Sequence, residues 1–413
     1  MSSLVSRTAL EFVTAFRNVT RHRRRVLFAL LIIVGGVLAL LMTAGFIMWL
    51  MTSMREGAIR SQIGHIQIVR PGFFEGGGAD PYRYLLQDDA KADSEIRQWP
   101  HVEELTPRLA FNGLVSFGDS SVTFVGDGVD PVGDRRVNEY ISIVEGEALS
   151  EADPEGIIIG RGLAANLGVK VGERVVLLGT TAKGGFNMVE VRVRGTFQTF
   201  SSDYDNSALR APIMLARKLI KVSGSTAWVV LLDQTERSGE VHSGLSQKLD
   251  PKQYQLVEWI DLADMYVKTR DLFEKQVLIL QLIISFIIVL SIGNTLHMAV
   301  LERTGEIGTA MALGVRRGGV LRQFLMEGLI LGCIGGLIGV VLAWGLSYVV
   351  STIGIPMPPP PGMLEGFDAE VTMTPGLLLD GFLTALITTL VASAIPAWKA
   401  SRMNIVDALR HQR

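Results

Sequence analysis

Residues 302–327 read ERTGEIGTAMALGVRRGGVLRQFLME. This charged segment lies between two apolar runs, 277–301 and 325–350. Charges inside hydrocarbon cost several kcal/mol each. The segment is therefore expected on one face of a membrane, offering its surface to something soluble.

The chain has 413 residues, 48% hydrophobic and 19% charged. Its apolar residues gather in four runs, 26–50, 277–301, 325–350 and 376–398. Each is about as long as the roughly 20 residues a bilayer crossing needs. The first run contains no charged residue, which argues against a buried helix of a soluble protein. It is also longer than the core of a secretory leader and is followed by no convincing small-residue cleavage site. It reads as an uncleaved anchor, stopped at its inner end by Arg21, Arg23, Arg24 and Arg25.

The net charge of −2 is divided by side. Residues 1–25, 302–322 and 399–413 hold 14 of the 39 Lys and Arg against 4 acids, whereas 51–275 holds 25 against 32. Basic flanks mark the cytoplasmic face. Both termini and the 302–324 loop are thus expected inside. The 51–275 segment and the 351–375 loop, with its stiff PMPPPP at 356–361, are expected outside. The fold class this predicts is a membrane protein with four transmembrane α-helices, 26–50, 276–301, 325–350 and 376–398. A large α+β extracytoplasmic domain is inserted between helices 1 and 2. Residues 1–25 form an amphipathic helix along the inner surface, with Ala9, Phe12, Val13, Phe16 and Val19 on one face. Residues 399–413 form a cytoplasmic tail.

Within 51–275, alternation and turn residues predict strands over 65–69, 111–117, 122–125, 156–160, 174–178, 189–197, 211–215 and 227–232. Gly118-Asp119 is a turn and 179–188 a hairpin tip. Gly76, Gly77 and Gly78 form a flexible loop tip. Helices are predicted over 88–98, 161–166 (closed by Gly168) and 236–249. Residues 51–63 continue the first crossing outward, and 261–275 run into the second. The single cysteine, Cys333, lies in the third run, so the outer domain has no internal disulfide to rely on.

Chemistry-bearing motifs are missing. No G-x-x-x-x-G-K-[ST] phosphate loop occurs, and the glycine-rich GRGLAANLGVKVG at 160–172 lacks the Lys-Ser/Thr ending. The six histidines are scattered without metal-ligand spacing. No catalytic residue, metal or cofactor is assigned to this chain, and no nucleic-acid partner is expected. Asp203, Tyr204 and Asp205 read as a solvated acidic loop. Glu327 and Asp380, near helix ends, read as snorkelling to an interface. Gly332-x-x-x-Gly336 and Gly335-x-x-x-Gly339 predict close helix packing, within the chain more than between copies. Gln281, Ser285, Ser291, Asn294 and Thr295 line a cavity or bond across helices.

Three stretches together resemble one family. ERTGEIG at 302–308, followed by ALG at 312–314, is similar to ERTREIG and RALG of ABC transporter permeases of the MacB/FtsX/LolC-LolE type. PAWKASRMNIVDALR at 396–410 is similar to that family's PARRASRLDPVEALR, with Asn404-Ile405 in place of Asp-Pro. Residues 160–172 and Gly195-Thr196-Phe197 resemble the external domains of lipoprotein-releasing permeases. The resemblance implies a permease subunit, not itself an enzyme, that is driven by a separate ABC ATPase carrying the ATP and Mg. It works with a second permease copy, as homo- or heterodimer, in the lipid of a bacterial inner membrane with its large domain in the periplasm. The implied ATPase-coupling residues are Glu302, Arg303, Glu306, Ile307, Gly308, Ala312, Leu313 and Gly314. Small residues there let a helix sit close in a partner's groove, and charged ones set its register. The implied work is extraction of lipoproteins. Their acyl chains would meet Met42, Phe46, Leu50, Leu280 and Ile284, and a periplasmic carrier would receive them. The 179–188 loop is shorter than the one on which a carrier docks in that branch, which counts against carrier docking here. Macrolide-exporter-like efflux of periplasmic cargo and FtsX-like signalling to a cell-wall hydrolase are the alternatives.

Overall fold

The computed structural model describes residues 17, 23–78, 80–137, 141–199, 201–357 and 367–404. The predicted amphipathic helix within 1–25, residues 358–366 of the proline-rich loop and most of the tail lie outside the described residues. The longer helices are α1 (Arg23–Ala58), α2 (Ala90–Arg97), α3 (Pro131–Val137), α4 (Arg161–Leu167), α5 (Ile213–Ile220), α6 (Ser238–Lys248), α7 (Asp264–Glu302), α8 (Thr304–Ala312), α9 (Arg317–Ile353) and α10 (Pro375–Ser401). The strands are β1 (Ile66–Val69), β2 (Val102–Phe117), β3 (Ser120–Val129), β4 (Ser142–Gly146), β5 (Gly156–Gly160), β6 (Arg174–Thr180), β7 (Phe186–Gln198), β8 (Ala208–Pro212), β9 (Ala227–Leu232) and β10 (Gln255–Glu258). The chain divides into a helical unit (Met1–Met51, Thr269–Met357, Asp368–Arg413) and a sheet unit (Thr52–Lys268, Pro358–Phe367).

In the helical unit, four helices are long and apolar enough to cross a membrane. They bury narrow stripes: Ala29, Ile33, Val37 and Leu41 on α1, and Ile284, Ile288, Ile292 and Leu296 on α7. Each stripe repeats every four residues, one row of side chains along a helix. The rest of α7 is bare, with Leu278, Ile279, Leu282, Ile283, Phe286, Ile287 and Leu290 all exposed. Five glycines of α9 divide between two neighbours. Gly328, Gly332 and Gly336 face Ser393, Thr389 and Ala385 of α10, while Gly335 and Gly339 face Ile33 and Val37 of α1. The close packing read from these spacings is thus made within the chain. Gln281 donates to Thr384 Oγ1 at 2.8 Å and Thr388 donates to Ser285 Oγ at 3.4 Å, cross-linking α7 and α10. Thr295 turns back to the Ser291 carbonyl on its own helix. Thr374 caps α10 by accepting from the Leu377 N–H, and Pro375 fills its first turn, where no N–H is needed.

The sheet unit is built on β2. Its first half pairs with β9, beside β1 and β10. Its second half joins a ring in which β2, β3, β8, β5, β7 and β6 pair in turn, β6 returning to β2. The ring encloses Leu109, Phe111, Val115, Phe124, Val175, Leu177, Val191 and Val193, plugged by Leu215, Leu219 and Ile220 of α5. A second core lies between the β10-β1-β9-β2 sheet and helices α2 and α6, around Ile68, Ile96, Trp228, Val230 and Leu245. Asp89 caps α2, accepting from the Lys91 and Ala92 N–H groups at 3.0 and 3.2 Å. Gly168, at φ 71°, closes α4 in the left-handed conformation a side chain would resist.

Several expectations need correcting. The 211–215 strand is instead β8 ending at Pro212, and Ile213 opens α5, because Pro212 stands as the helix cap. The strand expected over 111–117 begins nine residues earlier. Pro107 masks it, lying where β2 is paired on one side only, with β9. The 76–78 loop tip follows a helical turn, Phe73–Gly76. The helix expected over 261–275 is broken at Ala263, between a turn Trp259–Leu262 and α7. The third apolar run begins inside α9, whose first turn starts at Arg317.

Candidate functional site

The charged segment folds into α8, a tight turn and the first turns of α9. Ile307, Gly308 and Met311 of α8 point inward. They pack with Val300 of α7, Val320 and Phe324 of α9, and Ala397 and Ala400 of α10. Gly314 takes φ 99°, the left-handed value that favours glycine. The Val315 N–H then reaches back to the Ala310 carbonyl at 3.0 Å, and the chain leaves α8 abruptly. The consequence is an exposed run over residues 312–318. Within it Leu313 is 83% exposed, and Val315 is exposed nearby. Arg316 and Arg317 follow.

An ionic lattice holds this segment. Arg25 of α1 donates to both carboxylate oxygens of Glu302 at 2.9 and 2.5 Å, a bidentate fork. Arg303 donates to Glu327 Oε1 at 2.9 Å and to Glu306 at 3.4 Å, and its guanidinium lies 5.6 Å from the centre of the Phe324 ring. Glu327 is buried. The snorkelling expected of it is therefore incorrect: Arg303 supplies its counter-charge, so the carboxylate need not reach water.

The eight predicted coupling residues thus separate. Ile307 and Gly308 pack inward against this chain's own helices. Glu302 and Arg303 tie α7 to α1 and α9. Glu306, Ala312, Leu313 and Gly314 are presented outward. Arg25 and Phe324 were missed. Arg25 is the last charge before the first run and Glu302 the first after the second, so their shared depth was legible. The predicted cargo residues divide too. Leu280 and Ile284 pack with the α1 stripe, whereas Met42, Phe46 and Leu50 are half-buried, and Phe46 stacks on Trp49 at 6.2 Å.

The sheet unit holds two buried polar networks. Arg210 of β8, with no exposed side-chain surface, donates Nη1 to both Asp134 oxygens at 3.0 and 3.1 Å and Nη2 to the Ser61 carbonyl at 2.7 Å. Burial opposes the Arg210 charge, but Asp134, with Tyr204 and Asp127, outweighs it and the pKa rises. Asp203, Tyr204 and Asp205 are not a solvated loop. They form a helical turn in which Asp205 is buried, accepting from the Thr199 N–H and hydroxyl. Tyr204 donates to Asp127 at 3.1 Å, and burial pushes its phenol up to about 12. Among the described residues no cluster of three His, Cys, Asp or Glu side chains could hold a metal ion.

The second network centres on buried His65. The Leu232 N–H donates to its Nδ1 at 3.0 Å, which assigns the proton to Nε2, 3.0 Å from Thr235 Oγ1. Thr235 in turn donates to Glu56 at 2.9 Å. Burial lowers the His65 pKa from 6.5 to about 4. The unfolded chain therefore binds the extra proton first as pH falls below 6.5, and stability is lost down to about pH 4, by roughly 3 kcal/mol in all. Thermal unfolding of the detergent-solubilised chain between pH 7 and pH 4 is expected to show this loss. His65→Asn should remove that part of the slope; identical slopes in both chains would contradict the assignment.

Residues 26–248 match the MacB-like periplasmic core domain, and residues 278–405 the FtsX-like permease C-terminal domain. The chain belongs to the ABC transporter permease family that carries these domains. It is 26% identical over 364 residues to the lipoprotein-releasing system transmembrane protein LolC of Xylella fastidiosa, covering 79% of this chain and 86% of that one. To LolE of Haemophilus influenzae it is 24% identical, covering 77% and 79%. To the macrolide export ATP-binding/permease protein MacB of Hyphomonas neptunium it is 25% identical, covering 98% of this chain but 61% of that protein. The solved periplasmic region of MacB from Actinobacillus actinomycetemcomitans aligns with 50% of this chain and 93% of that one, at 16% identity and a TM-score of 0.35.

Proposed function

We propose that the chain is the membrane-spanning subunit of an ABC transporter that releases lipoproteins from the bacterial inner membrane. In this reading α1, α7, α9 and α10 cross the bilayer, both termini and α8 face the cytoplasm, and the sheet unit faces the periplasm. A separate ATPase docks on the exposed turn at residues 312–318, and two permease copies complete the complex. The single observation that carries the coupling role is the exposure of Leu313 on a segment locked to α1 and α9 by the Arg25–Glu302 and Arg303–Glu327 pairs. An apolar knob beside two arginines suits a partner's groove. A push on that knob is passed to α1 through Arg25, to α9 through Glu327 and to α10 through the Ala397 and Ala400 contact.

The lipoprotein reading is supported by the match over 86% and 79% of the LolC and LolE lengths; the match to MacB covers 98% of this chain and 61% of that protein, so efflux of periplasmic cargo is the alternative. Met42, Phe46 and Leu50 are the residues proposed to meet the acyl chains. Co-purification with the ATPase followed by mass spectrometry tests the cargo. Bound acylated lipoprotein is expected; a bound cell-wall hydrolase with no lipid-anchored cargo would replace this reading with the signalling one.

A further inference from the structure

Helix α1 ends by widening into a π turn, Ile59–Ile63, which stops at Gly64 with φ 72°. Such turns inside helices often mark functional points. A helix end leaves carbonyls with no N–H to accept from and a partial negative charge that favours a cation. Arg210 supplies that cation, its fork spanning the Ser61 carbonyl and Asp134. Arg210 belongs to β8 of the ring, whereas Asp134 belongs to α3, whose Val137 packs on Val229 and Leu231 of the sheet. The sheet holds the same helix end by other means. The Leu232 N–H meets His65, Thr235 meets Glu56, and Ile59 packs on Trp259. Burying an ion pair is seldom the most stable choice, since apolar replacements of similar volume are often as good. What a guanidinium adds is geometry: one rigid fork holding two partners at fixed angles.

We propose that Arg210 is a positioning residue. It fastens the end of α1 to the six-stranded ring, so that displacement of α1 becomes displacement of the ring and not of the sheet alone. The inference deepens the transport reading, because it rests on α1 being the helix moved from the inner end.

The test uses the full chain with Cys333→Ser. Spin labels are placed at Ser53→Cys with Lys183→Cys on the ring's hairpin tip, or at Ser53→Cys with Gln247→Cys on α6. Pulsed electron paramagnetic resonance is expected to give narrow distance distributions for both pairs. In Arg210→Met with Asp134→Leu, which removes both charges, the 53–183 distribution is expected to broaden roughly twofold. The 53–247 distribution should stay unchanged. Equal widths in parent and variant, or equal broadening of both pairs, overturn the joint. Arg210→Lys, which keeps the charge against Asp134 but loses the fork, carries the same test if the double variant does not fold. Neither measurement needs nucleotide or cargo. Absence of ATP-driven release by the parent complex would therefore sink the transport reading and leave the joint standing.

Discussion

Arg303→Ala is expected to destabilise the detergent-solubilised chain by about 3–5 kcal/mol, the cost of breaking a buried ion pair by removing one member. Glu327 sits on α9 with 4% of its surface exposed, and Arg303 Nη1 is 2.9 Å from it. The same substitution removes the guanidinium from Phe324 and from Glu306, smaller terms than the broken buried pair. Arg303→Met with Glu327→Leu strands no charge and should recover most of the loss. This contrast identifies the mechanism, because a merely steric role for Arg303 would leave the double variant as unstable as the single. Melting of the three chains in one detergent checks it. A single-variant loss below about 1 kcal/mol, the value of a surface pair, would show that the lattice is solvated.

Gly332→Val is expected to cost roughly 3 kcal/mol, at the upper end of overpacking penalties. A Cβ at Gly332 would stand 2.1 Å from Thr389 Oγ1 and 3.3 Å from Leu386 Cα. The hydroxyl could rotate, but the Leu386 backbone cannot, so α9 and α10 must separate along the face that Gly328 and Gly336 also keep narrow. Gly345→Ala is the matched control. Nothing lies within 4 Å of its Cβ position, and alanine favours a helix over glycine by about 1 kcal/mol. The control should therefore melt no lower than the parent. Equal melting of Gly332→Val and parent would mean that the glycine rows of α9 do not set the helix spacing.

What the sequence made legible was whatever repeats locally. Long apolar runs mark the four long helices. Glycines four apart mark the narrow face of α9, and Gly168 marks the end of α4. What it hid depends on residues far apart in the chain. Arg210 and Asp134 are separated by 76 positions, and nothing in either neighbourhood announces a pair. Asp205 reads as solvated beside Asp203, and only the fold brings the Thr199 N–H to it. Glu327 reads as a charge at a helix end until Arg303, at the junction of α7 and α8, is placed against it. In α5 the apolar residues of Ile213–Ile220 suit a strand or a helix, and the choice was made by Pro212 capping the turn. At the charged segment the motif picks out one contiguous stretch. It could not separate Ile307 and Gly308, which hold the segment down, from Leu313, which the turn at Gly314 lifts out.

That separation bears on the central claim, that the exposed turn receives an ATPase. A photo-reactive phenylalanine analogue placed at Leu313 and, separately, at buried Ile307 would be irradiated in native membranes. The account predicts an adduct with an ABC ATPase subunit from position 313 and none from 307. No ATPase adduct at 313, or equal adducts from both positions, would contradict it.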